Sequence, residues 1–290
     1  MRIVRWAEGP AAEPRFGLWI DDMIADAGTA EELGLPPGAG AEALLAQGMS
    51  ALVAFETRAV TQTRRARSDV RLLAPLVRPS KIFAVGLNYH EHAAEQGLEP
   101  PAYPRIFLKP PSAIVGPEDD IVIPDFCDTV DPEVELAFVI GKQARRVPAA
   151  RASSVIAGYV IVNDVTDRRI QKQDVQYTRG KGLDTFCPLG PALVTKEEIP
   201  DPQKLSIRLF VDGELRQDST TANLIHGIGA LVEFISAGIT LEPGDIVSTG
   251  TPSGVGVFRE PKVFLRSGET VRCEIERIGA IENRVVAAAE

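Results

Sequence analysis

Beyond residue 80 the apolar residues come in short runs that do not alternate regularly with helical segments. The runs include "IVIP" (121–124), "EVELAFVIG" (133–141), "VIAGYVIVNDV" (155–165), "PALVT" (191–195), "LSIRLFVDGELRQ" (205–217), "DIVSTGTP" (245–252) and "ETVRCEIERIGAIENRV" (269–285). Such a pattern disfavours a doubly wound parallel sheet, which needs a helix between successive strands. It predicts an α+β fold with a mixed, largely β core and a few peripheral helices, near residues 89–96, 149–157, 165–174 and 223–237. Asp212-Gly213 marks a two-residue hairpin. Ahead of this region, "RIVRW" and "RFGLWIDDMIADA" read as hairpin strands, and "TAEELGLP" and "GAEALLAQGMSALVAFETRAV" as helical segments. Residues 61–81 mix charge, turn residues and proline, which suits a connection. The expected organisation is a small N-terminal α/β domain, residues 1–75, and a second domain, residues 76–290.

Composition excludes several classes. Asp plus Glu number 40 against 31 Lys plus Arg, a net charge of −9, which argues against a nucleic-acid footprint. No stretch approaches the ~18 apolar residues of a membrane span. Glu8 interrupts the N-terminus before an apolar signal core forms, so export is not expected. Cys127, Cys187 and Cys273 are an odd set without C-x-x-C spacing and predict free thiols in a cytoplasmic protein.

The stretch "VDPEVELAFVIG" (130–141) is an apolar strand that nevertheless carries Glu133 and Glu135. Alternate side chains on a strand share a face, so the two carboxylates stand together, roughly 7 Å apart. That is destabilising unless they are solvated, protonated or held against a cation. Alone, such a pair is more often the mark of an edge strand with one wet face. A third acid, Asp164, closes the apolar run of "GYVIVNDV"; it reads as a ligand or as the N-cap of the following helix. Three carboxylates without imidazole or thiolate select Mg²⁺, Mn²⁺ or Ca²⁺ over zinc, and leave positions open for a reactant.

Other groups carry chemistry. His92 and Glu95 are neighbours on one helical face, where the carboxylate can orient the imidazole as a general base; a solvated surface pair is the competing reading. Gly97 and the proline-rich segment after it suggest a mobile lid. Lys181, between two glycines, could neutralise an enolate or a substrate carboxylate, or be an ordinary loop lysine. Lys109 is a further candidate with an equally good structural reading. Arg168 and Gln171 follow Asp164 by four and seven residues, on one side if all three are helical. Thr251, in the glycine-rich "STGTPSGVGVF" that lacks a phosphate-loop ending, could contact a carboxylate.

Together, "GLNYHEHAAE", "FLKPPSAIVGP", "DPEVELAFVIG", "GYVIVNDVTDRRIQ", "TRGKGLDTFCPLGP" and "STGTPSGVG", in that order, resemble the fumarylacetoacetate hydrolase family. The resemblance covers about residues 80–285, and the preceding residues resemble the N-terminal domain of bacterial members. It implies a mixed β-roll, a homodimer and a divalent cation, usually Mg²⁺. By position it implies metal carboxylates at Glu133, Glu135 and Asp164, a lid dyad of His92 and Glu95, a catalytic Lys181, and substrate contacts at Arg168, Gln171 and Thr251. The implied activity is hydrolysis of a C–C bond in a small-molecule 1,3-dicarbonyl 2-oxo acid of acylpyruvate or fumarylpyruvate type. The alternative is isomerisation or decarboxylation of 2-hydroxymuconate-type or oxaloacetate-like acids at the same site. Pro132, Asp167 and Arg169 depart from the family pattern near the substrate pocket.

Overall fold

Val134–Ile140 is a strand in the interior of the larger of the two main sheets; a third sheet is only the two-stranded pair of Val130–Asp131 and Thr166–Asp167. The structure is a computed structural model that describes residues 1–289. Strands of the larger sheet run in the order 64–66, 23–29, 15–20, 2–7, 187–195, 156–163, 134–140, 246–248, 82–86 and 105–109. Neighbours along this path are antiparallel, except the parallel pair Ile246–Ser248 and Ile82–Gly86. The smaller sheet takes the order 214–220, 206–211, 270–275, 279–287 and 121–123. The fold is α+β and mostly sheet, as expected.

Both faces of Val134–Ile140 are covered. Val134, Leu136, Phe138 and Ile140 share a core with Ile207, Leu209, Val271 and Cys273 of the smaller sheet. Ala137 and Val139 share another with Leu44, Leu45 and Phe55, on the helices Ala41–Ala46 and Met49–Thr61. Burial on two sides is why the strand reads as a nearly continuous apolar run.

Local chemistry accounts for the connections. Asp212 and Gly213 adopt φ of 47° and 78°, the two left-handed positions of a type I′ hairpin turn between Ser206–Val211 and Glu214–Thr220. The helix expected at 165–174 starts at Arg168, because Thr166–Asp167 still pairs with Val130–Asp131. The segment expected as a helix at 149–157 is a 3-10 turn, Ala149–Ser154, and the chain is already extended at Ile156.

The first 75 residues, expected as a small domain, continue the same sheet: Arg2 pairs with Val194 and Ile3 with Leu193. The expected connection holds two short strands, Arg64–Ala66 beside Met23–Ala25 and Arg71–Leu73 beside Arg5–Ala7. Among the described residues no helix is long and apolar enough to cross a membrane, and the three cysteines are free and buried.

Candidate metal centre and active-site cavity

Strand register assembles the acidic site. Val134 pairs with Asn163 and Glu135 with Val162 in an antiparallel ladder. Its next step is the Asp164 N–H donating to the Glu133 carbonyl at 2.9 Å. Asp164 therefore stands opposite Glu133, with Glu135 two residues along on the same face. One carboxylate oxygen from each lies within 4.8 Å of the others, and all three residues are buried. Asp164 is not the helix cap; Asp167 is, with Oδ1 accepting from the Ile170 N–H at 2.8 Å.

Cations hold two of the three acids. Lys181 Nζ donates to Glu133 Oε2 at 2.8 Å, Asp164 Oδ2 at 2.6 Å and Thr166 Oγ1 at 2.8 Å, which uses all three of its hydrogens. Lys109 Nζ donates to Asp164 Oδ1 at 2.6 Å and to the Lys181 carbonyl. Arg168 Nη2 reaches Glu133 Oε1 at 2.5 Å, and its Nε reaches Asp131 Oδ2 at 2.9 Å. Lys181 is thus no solvated loop lysine. Its flanking glycines matter for close approach rather than for unusual φ: a Cβ on Gly180 would lie 2.7 Å from Gln171 N.

Glu135 is held differently. Its Oε2 accepts from Ser248 Oγ at 2.6 Å and the Gly250 N–H at 3.0 Å, and no cation bonds it among the described residues. The four buried carboxylates of Asp131, Glu133, Glu135 and Asp164 face only three cations, Lys109, Arg168 and Lys181. The unmatched acid is the perturbed one: burial, then the charges of Asp164 and Glu133, push Glu135 up to about 8. Burial pulls Glu133 the same way, but Arg168 and Lys181 outweigh it and hold Glu133 below the usual carboxylate range. A divalent cation fits this donor set. The oxygens are hard, each bonded oxygen keeps a second lone-pair direction, and the cluster is short of positive charge.

His92 is buried and Glu95 half-buried at the cavity wall, so the dyad is not a solvated surface pair. Helix His90–Glu95 presents His92 Nδ1 to Glu95 Oε1 at 2.5 Å, and Gln96 Nε2 lies 2.9 Å from His92 Nε2. A proton on Nδ1 and a lone pair on Nε2 satisfy both contacts. Glu95 Oε2 accepts from the Gly254 N–H at 3.0 Å, and Phe258 meets the imidazole edge-on at 6.1 Å between centroids. His90, on the same helix, is exposed.

A cavity of about 650 Å³ is lined by nine of the ten candidate residues, His92, Glu95, Glu133, Glu135, Asp164, Arg168, Gln171, Lys181 and Thr251; the tenth, Lys109, is buried against Asp164 and does not line it. Residues 81–286 match the family model described as fumarylacetoacetate (FAA) hydrolase C-terminal. The chain belongs to the fumarylacetoacetate hydrolase family. It is 44% identical over 291 residues to a mitochondrial oxaloacetate tautomerase of Xenopus laevis, covering 99% of this chain and 90% of that one. A solved 5-carboxymethyl-2-hydroxymuconate delta-isomerase from Mycobacterium smegmatis superposes with a TM-score of 0.77 at 40% identity, over 100% of both chains. A maleylpyruvate hydrolase from Sphingobium sp. SYK-6, solved with manganese(II) and pyruvate, gives 0.82 at 32% identity, again over 100% of both.

Within this member of the fumarylacetoacetate hydrolase family, some contacts differ from the sequence expectation. Arg168 and Gln171 reach the cavity from one helix, Nη1 to Oε1 at 3.2 Å, but Asp164 precedes that helix and joins them through the sheet. Thr251 donates its hydroxyl hydrogen to the Val134 carbonyl at 2.9 Å and accepts from Gln217 Nε2 at 2.9 Å, so its free bonding capacity is small. Of the departures from the family pattern, Asp167 caps a helix, and Arg169 lies on the surface, bonding the Phe126 carbonyl at 2.5 Å. Sequence reasoning passed over Asp131, Thr166, Gln96 and Ser248. Only Asp131 carried a signal, since Asp131-x-Glu133-x-Glu135 keeps one period of two. It also left out the cavity mouth, where Arg105, Lys172 and Lys262 are exposed with a single acid, Glu260.

Proposed function

We propose that the protein interconverts the keto and enol forms of an oxaloacetate-like 2-oxo diacid at Mg²⁺ or Mn²⁺ held by Glu133, Glu135 and Asp164. The observation that carries this reading is 44% identity, over nearly the whole chain, to a protein named an oxaloacetate tautomerase. It displaces hydrolysis, the first expectation from sequence, in favour of the alternative stated beside it. Bound by the three carboxylates, the cation would supply Lewis-acid charge for the 2-oxo oxygens and the developing enolate.

The chain's own groups supply the rest. Lys181, already bonded to Glu133 and Asp164, adds fixed positive charge where the enolate forms. His92 Nε2 takes the proton from the carbon between the 2-oxo group and the distal carboxylate. The C–H electrons form the C=C bond, the carbonyl electrons move to oxygen, and the proton returns to that oxygen. Glu95 behind Nδ1 stabilises the imidazolium that forms between the two transfers. Gln96 must vacate Nε2 for this, and substrate entry provides the occasion. Arg105, Lys172 and Lys262 at the mouth suit the second carboxylate. The reading includes a homodimer, measurable by light scattering, and a reducing, cytoplasmic setting consistent with three free thiols.

Hydrolysis of an acylpyruvate remains the second reading, favoured by the His92–Glu95 pair, which could equally activate a water. Product mass decides between them: oxaloacetate and an acylpyruvate are each incubated with the Mn²⁺-loaded protein. Unchanged mass with altered enol absorbance supports tautomerisation. Two fragments whose masses sum to substrate plus water identify a hydrolase, and loss of CO₂ a decarboxylase. The His92→Ala variant should bind Mn²⁺ within about threefold of the parent while kcat falls roughly 10²–10⁴-fold. Unaltered kcat would remove His92 as the proton carrier.

A further inference from the structure

Asp131 is fully buried and two residues ahead of Glu133 in the same register, opposite Thr166. Its Oδ1 accepts from the Gly256 N–H at 2.7 Å. Its Oδ2 accepts from the Val257 N–H at 3.1 Å and from Arg168 Nε at 2.9 Å. Arg168 in turn bonds Glu133 Oε1, so one carboxylate joins the acidic wall to the segment 254–258. The same short segment touches the dyad at both ends. The Gly254 N–H donates to Glu95 Oε2, and Phe258 lies against the His92 ring. There is little slack in it: Gly254 has a φ of +104°, and a Cβ on Gly256 would run into the Val263 carbonyl and Asp131 Oδ1. Neutralising Arg168 would need only the guanidinium contact. The two backbone N–H bonds are what extend Asp131's reach to the dyad.

We propose that Asp131 is a positioning residue that fixes the segment 254–258 against the Arg168–Glu133 pair and so sets where the His92–Glu95 dyad stands relative to the acidic triad. It is no member of the acidic triad and does not line the cavity. It acts through His92, and in that respect rests on the proposed role of His92 as proton carrier.

The test is Asp131→Asn, because an amide has one acceptor oxygen where the carboxylate uses two. Hydrogen–deuterium exchange is read on the peptides covering 90–96 and 254–258, with no substrate present. Exchange is expected to rise tenfold or more in both peptides together. Mn²⁺ affinity, measured with the metal alone, and KM should each move less than threefold, while kcat falls tenfold to a hundredfold. In the His92→Ala background the same substitution should leave kcat unchanged, since residues acting as one unit are non-additive. Exchange rising in 254–258 alone would overturn the proposal. So would full multiplication of the two kcat effects, or Mn²⁺ affinity falling in step with kcat. If oxaloacetate is not a substrate, the exchange result still decides the positioning role, so the two ideas fail separately. If Asp131→Asn does not accumulate as folded protein, Asp131→Glu carries the same readouts. It keeps the charge opposite Arg168 and shifts the oxygens by one methylene.

Discussion

The Asp164→Asn variant is expected to lose measurable Mn²⁺ binding and at least about a thousandfold in turnover, on the order of the loss when a main source of transition-state charge is removed. Asp164 is where the cluster's constraints meet. Lys109 occupies one oxygen, Lys181 the other, and strand register sets the side chain opposite Glu133. An amide keeps the shape but turns an NH₂ towards one of two ammonium groups. It also reduces four carboxylates to three, matching the three cations and leaving no surplus negative charge to attract a metal. Calorimetric titration with MnCl₂ checks the binding and circular dichroism the fold. Treatment of the parent protein with EDTA should reproduce the loss, and added Mn²⁺ should reverse it. Binding retained within tenfold in a folded Asp164→Asn protein would dismantle the metal site.

Glu135→Gln should have two effects of opposite sign. In the unfolded chain a glutamate gives up its proton in the ordinary carboxylate range, whereas folded Glu135 keeps it up to about 8. Between those limits the folded state holds the extra proton. Metal-free stability therefore declines as pH rises towards 8, with the full penalty present above it. A glutamine side chain in its place would carry no such penalty. Its oxygen can keep the Ser248 and Gly250 bonds, and its NH₂ can donate towards the neighbouring carboxylates. The metal-free variant should accordingly melt higher at pH 8.5, by on the order of 5 °C, and lose the pH dependence. Its affinity for Mn²⁺ should fall at least about a hundredfold. The parent's affinity should climb by up to about tenfold per pH unit below 8, because binding releases a proton. Differential scanning calorimetry across pH 5–9, with and without MnCl₂, measures both effects. A variant less stable than its parent at pH 8.5 would refute the account of Glu135.

Glu133 and Glu135 were legible in the sequence because two carboxylates at a spacing of two in an apolar run have few comfortable settings. Asp164 was singled out by its place at the end of a buried apolar run and by the family resemblance, but its stance opposite Glu133 depends on which strand lies next to which and in what register. Lys181 looked like a loop residue because the acids that bury it are 48 and 17 positions away. Asp131 kept the spacing of the two glutamates but was hidden behind Pro132, which breaks the strand pattern. Arg168 and Gln171 were grouped with Asp164 for a helical reason, and reach it by another route. Most strands were readable from their apolar runs. The insertion of Arg2–Ala7 beside Cys187–Thr195 was not, because no local signal reports a partner so distant in the chain.

That insertion bears on how the molecule could be divided. The span recognisable as the family's signature begins at residue 81, and a fragment starting there looks like a self-sufficient module. Residues 193–195 of its strand 187–195 would nevertheless lose the neighbour that pairs them, leaving a raw edge there open to pairing with other chains. Ile3, Phe16, Leu18 and Phe55 would also be stripped from the layer they share with Ala137, Val139, Val160 and Val162. The scaffold beneath the acidic residues is thus part-built from the least recognisable quarter of the sequence, and an excised core would be missing a wall rather than an ornament.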